Sequence, residues 1–229
     1  MKKLIRLELK KFSFTPHLIG LLIANILILF LSTTTSMIMN TEAGVPAVTR
    51  LPALKLATTD LSSMLTRATM LIWEAALIAL LVIEEYRNKT MGLLFTYPVK
   101  KSKLIFAKLI LICGAMLLFF IFSSIFQNVS ILFLSKRLEY VSFSHVSPLT
   151  QFIIMIATIC IGLFPLYIGM IGKSSIKTIV SSIILMALVS NSQGNTAGLL
   201  SIPVAAIVFG LLGILFSVFT IKKILRSDM

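Results

Sequence analysis

The chain has 229 residues, 58% of them hydrophobic and 13% charged, with a mean hydropathy of +1.03. Soluble domains run about 45–50% apolar and about 25% charged, so this balance, with apolar runs of about 20 residues, excludes one and indicates an integral membrane protein. The net charge of +13 comes from Lys and Arg set between the apolar runs. That placement reads as retention of loops in the cytoplasm and excludes a nucleic-acid partner.

The opening segment, about residues 1–15, sets Lys2, Lys3, Arg6, Lys10 and Lys11 around Ile5, Leu9 and Phe12 at helical spacing. It predicts a short helix on the cytoplasmic membrane surface, its basic face toward lipid headgroups. Pro16 then allows a bend into a first span, His17 to Met39. A secretory signal also begins with basic residues and an apolar core, but Phe12 to Thr41 is too long for that core and closes on no small-residue cleavage site. A polar connection holding Gly44, Pro46 and Pro52 leads to a second span, from near Leu61 or Arg67 to Ile83. Glu74 lies inside it and reads as the only formal charge within any span.

The third span falls in Leu104–Leu134 and the fourth in Leu149–Ile171, with Pro165 predicting a kink relieved by neighbouring helices. Thr178 to Ile221 has no charge, and Asn191-Ser192-Gln193-Gly194-Asn195 divides it into a fifth and a sixth span. The fifth is short: Thr178 to Ser190 rises only about 20 Å against a core of about 30 Å. It must borrow residues from Ser174 onward or stop short. Gly210, Gly213 and Ser217 give the sixth span a small-residue face for close helix contact. With both termini inside, 16 of the 21 Lys and Arg fall on the cytoplasmic side. The expected fold is therefore all-α: a single transmembrane domain over 1–229, six spans, both ends cytoplasmic.

Little in the chain points to catalysis. Gly169 to Ser175 superficially suggests a phosphate-binding loop, but Tyr167 stands where the pattern needs glycine, so no ATPase site is expected. Cys113 and Cys160 lie far apart in apolar runs, and His17 and His145 sit at opposite predicted boundaries. No metal site, bound cofactor, nucleophile triad or paired carboxylates follow.

The longest polar interruption is Glu84 to Lys103. Glu84-Glu85-x-Arg87, then Thr90, Gly92, Leu93-Leu94, Pro98-Val99-Lys100 and a later Lys108, resembles the loop between spans two and three of ABC type-2 exporter permeases. Topology extends the likeness over nearly the whole chain; the sequence-specific part covers about twenty-five residues. The resemblance implies an N-terminal elbow helix over about 1–15 and a cytoplasmic coupling helix within about 84–103. That helix would dock on a separate ATP-binding-cassette subunit, which binds ATP and Mg, through Glu84, Glu85, Arg87, Thr90, Leu93, Leu94, Phe95 and Pro98. Two permease chains, identical or not, would assemble with two ATPase subunits in a bacterial plasma membrane and export an amphipathic peptide or another antimicrobial-type substrate. Many relatives place short re-entrant helices between spans five and six, for which Asn191 to Gly198 leaves little room. Two other readings stay open: a non-transporting scaffold or regulator, and an ion-coupled transporter using Glu74. Glu74 itself reads either as a packing carboxyl or as a group on the substrate path.

Overall fold

The computed structural model describes residues 14–41, 57–87, 101–190 and 198–227, which are helical throughout apart from short connections. The expected surface helix before Phe14, the Asn191–Asn195 connection, and Thr90, Leu93, Leu94, Phe95 and Pro98 lie outside these residues. Lipid offers no partner for a free N–H or C=O, so each apolar segment satisfies its backbone internally as a helix.

Helix α1 spans Phe14–Thr41. Helix α2 runs Thr58–Arg87 as one rod, α-helical over Thr58–Ile78, π-helical over Ala79–Ile83 and α-helical again over Glu84–Arg87. Helix α3 spans Lys101–Ser135, α4 Pro148–Gly162, α5 Phe164–Gly172, α6 Ser175–Val189 and α7 Pro203–Ser227. Among the described residues, five helices are long and apolar enough to cross a membrane: α1, α2, α3, the α4–α5 pair taken together, and α7. Helix α6 has 15 residues, a rise of about 22 Å, and falls short of the hydrocarbon core of about 30 Å. The protein is membrane-embedded and all-helical, and the segment that sequence marked as short remains short.

The centre of the bundle is α2, which touches α1, α3, α4, α5 and α6. Leu77, Ile78, Val82 and Ile83 of α2 close on Ile112 and Met116 of α3 and Leu166 of α5. A second cluster joins Leu71 of α2 to Ile154 and Ile161 of α4, Leu185 of α6 and Ala206 of α7. Pro165 has no N–H to give the Ile161 carbonyl, and the helix breaks at Leu163, between α4 and α5, as its position predicts. The small face of α7 lies against that break. A Cβ on Gly213 would strike the Cys160 carbonyl, and one on Gly210 would come within 3.2 Å of Ala157 Cα. Lys173 closes α5 in the left-handed conformation at φ 46°, and Ser174 N–H donates back to the Gly169 carbonyl at 3.3 Å.

Candidate functional site

Three polar places lie along α2. Near its middle, Glu74 is 1% exposed and faces the bundle, as the cost of a charge at membrane depth demands. Its carboxyl rests on Gly162, where a Cβ would collide with Oε2. Oε1 has no hydrogen-bond partner among the described residues. The adjoining Trp73 packs its ring on Gly20 and donates its indole N–H to His17 Nδ1 at 3.3 Å, tying α1 to α2.

Sequence reasoning placed Glu74 as the only formal charge inside a span, and the structure corrects this. Arg67 and Lys108 also lie within spanning helices and are 6% and 1% exposed. Both sit near the ends of apolar runs, where hydropathy assigns them to connections. The helices continue past those runs, and each cation has a carboxylate within reach.

At the Arg87 end, Lys108 Nζ of α3 lies 2.8 Å from Glu85 Oε2, both nearly buried. Glu84 and Arg87 pair at 3.5 Å and stay largely exposed. Tyr86 lies under the ammonium of Lys173, 6.0 Å from its ring centroid. Of the three described residues in the expected docking set, Glu85 therefore turns inward to join α2 to α3. Only Glu84 and Arg87 remain accessible.

At the Thr58 end the helices part around a cavity of about 440 Å³ bounded by α2, α3, α4 and Ser201–Ile202. Arg67 reaches back one turn to donate to Ser63 Oγ at 3.3 Å, and Asp60, a further turn up, is its electrostatic partner. The facing wall on α3 carries Ser124, Gln127 and Asn128. Gln127 Nε2 donates to the Asn25 carbonyl at 2.8 Å and to its Oδ1 at 3.2 Å, while Asn25 Nδ2 donates to Ser123 Oγ at 2.8 Å. Gln127 Oε1 is buried without a hydrogen-bond partner among the described residues. Ile125 and Phe152, 59% and 50% exposed, line the same space and form an apolar lip between α3 and α4.

Sequence reasoning passed over this cavity, although a signal was present. Thr59, Ser62, Ser63 and Thr66 recur at helical spacing beside Asp60 and Arg67, a hydrophilic stripe on a helix that otherwise faces apolar neighbours. No group of metal-ligating side chains occurs among the described residues. Among the described residues the arrangement offers donors and acceptors for binding.

No family model matches the chain, and no solved structure matches it. It is similar to a Bacillus subtilis (strain 168) protein described as uncharacterized protein YcbO, 29% identical over 233 residues, covering 98% of this chain and 99% of that one. The likeness is end to end, and that description assigns no activity.

Proposed function

We propose that this chain is the membrane-spanning permease subunit of an ATP-binding-cassette exporter, with six spans and both termini cytoplasmic in a bacterial plasma membrane. A separate ATPase subunit would hold ATP and Mg, and a second permease chain would complete the pore. The observation that carries the reading is α2: one 30-residue helix leading from a polar cavity to the charged Glu84–Arg87 terminus. Its Arg87 end is fastened to α3 by the buried Lys108–Glu85 pair. Movement imposed on the chain after Arg87 would pass into two helices together, because separating two buried opposite charges is costly.

The test is whether an ATP-binding-cassette subunit is encoded beside this chain and associates with it. Arg87→Glu and Leu94→Asp should leave the protein inserted and abundant, yet lose co-purification with the ATPase or uncouple its hydrolysis from export of an amphipathic peptide. Normal association and export by both variants would make the 84–103 stretch an ordinary connection. The bare Oε1 of Glu74 favours a second reading, transport coupled to an ion or proton at that carboxyl. Glu74→Gln separates the two. An ATPase-driven exporter with a packing carboxyl keeps its flux, whereas an ion-coupled carrier loses it.

A further inference from the structure

We propose that the cavity at the Thr58 end of α2 holds the uncharged, hydroxyl-rich headgroup of a glycosyl lipid, its sugar ring between the carboxamides of Asn128 and Gln151. The site does not depend on the exporter reading. Its volume of about 440 Å³ lies within the range of small-ligand sites, about 300–1,000 Å³.

The α3 and α4 walls select the class. On α3, Asn128 Nδ2 donates to Ser124 Oγ at 3.4 Å. The Ser124 hydroxyl proton, the second Asn128 amide N–H and Asn128 Oδ1 have no partner among the described residues. On α4, the whole Gln151 carboxamide is without one among them. All three side chains are half-buried and line the cavity.

A hydroxyl and a carboxamide each donate and accept. A phosphate mainly accepts, and it would set oxygen against Asn128 Oδ1 and Gln151 Oε1. An ammonium only donates, and it would leave the amide N–H groups and the Ser124 proton unmatched. Sugar hydroxyls do both, and they bring no charge to membrane depth. Asp60 and Arg67 on the α2 wall interact with each other, and the choice of class rests on neither. The apolar part of the lining fits the same ring. A sugar carries hydroxyls at its edge and C–H groups on its faces, and Phe152 offers an aromatic ring beside Gln151.

The lip assigns the source. Ile125 follows Ser124 on α3, and Phe152 follows Gln151 on α4. Adjacent helical residues point about 100° apart, so each wall pairs a half-buried polar side chain with an exposed apolar one. Ile125 and Phe152 lie on lipid-crossing helices, so hydrocarbon joined to a bound headgroup runs out between α3 and α4. A free sugar would forgo that contact.

The experiment is displacement of a chain-labelled fluorescent alkyl β-glucoside from the purified full chain, read by anisotropy in a polyoxyethylene detergent, which carries no sugar. Competitors are dodecyl β-glucoside, dodecylphosphocholine and methyl β-glucoside, the two dodecyl compounds being compared at equal mole fraction in the micelle. Dodecyl β-glucoside should lead dodecylphosphocholine by about tenfold or more, the worth of about two neutral hydrogen bonds. Methyl β-glucoside should be weaker still. Gln151→Leu takes no hydrogen bond from the folded chain, so it should melt as the native protein does and bind the glucoside about threefold or more weakly. Ser124→Leu fills the cavity and should abolish displaceable binding while the protein still elutes as one species. Absence of probe binding, equal competition by the two dodecyl compounds, or native affinity in either variant would overturn the proposal. Displacement by methyl β-glucoside as strong as by dodecyl β-glucoside would assign the cavity to a soluble sugar and overturn it equally.

Discussion

At its Arg87 end α2 buries Glu85 against Lys108 and packs Val82 and Ile83 into the main apolar cluster. At its Thr58 end the same helix sets Asp60 and Arg67 beside open space, with hydroxyls and amides around them. Both ends carry an acid and a base, but the first pair joins two helices and the second borders a cavity. A buried ion pair seldom outperforms a well-packed apolar pair, yet stripping one partner is costly. The first arrangement therefore fixes two helices in register, and the second sets polar groups along a cavity wall.

The contrast fails altogether if the two ends do not face opposite sides of the membrane. In a chain lacking Cys113 and Cys160, a cysteine at Ser144 should react fully with an impermeant thiol reagent on intact cells. Cysteines at Asn88 and Ser174 should react only after permeabilisation. Labelling of Asn88 from outside would invert the topology.

The next largest effect concerns the fixed end. Lys108→Met removes the cation 2.8 Å from buried Glu85 and should cost about 3–5 kcal/mol, read as loss of monodisperse protein on heating. Adding Glu85→Leu should restore most of that loss. If Lys108→Met alone is as stable as the native chain, the pair is not a clamp.

A smaller effect belongs to the middle of the helix. Gly162→Ala places a methyl group on the Glu74 carboxyl and should cost about 1–3 kcal/mol through overpacking. In a Glu74→Ala background the same substitution should cost much less, a coupling that a double-mutant cycle measures directly. Additive effects would show that the carboxyl has another place to go. The smallest effect belongs to the cavity: Ser63→Ala removes the hydroxyl that accepts from Arg67 at 3.3 Å and should cost about 0.5–1.5 kcal/mol, read as a shift in the thermal midpoint.

How far sequence alone reached differs along the helix in the same way. The spans, the break at Pro165 and the glycine face of α7 follow from apolar length, a missing N–H and residue size, all local properties. Glu74 was found because a carboxyl amid apolar neighbours has no cheap exposed position. The inward turn of Glu85 was hidden, since its partner Lys108 is 23 positions away and Glu84 offers the same chemistry one residue earlier. The cavity was only half legible. The hydroxyl stripe of Thr59, Ser62, Ser63 and Thr66 marks its α2 wall, but the space itself depends on how α2, α3 and α4 splay, which no residue type records.

One consequence of the π segment Ala79–Ile83 concerns the twin carboxylates that follow it. A π turn takes in about one residue more than an α turn, and one residue amounts to about 100° of azimuth. Were α2 regular throughout, Glu84 would hold the bearing that Glu85 now holds, and Glu85 would swing away from Lys108. The widened turn thus acts as a dial, choosing which of two adjacent acids is locked inside and which is shown to whatever approaches from the Arg87 side.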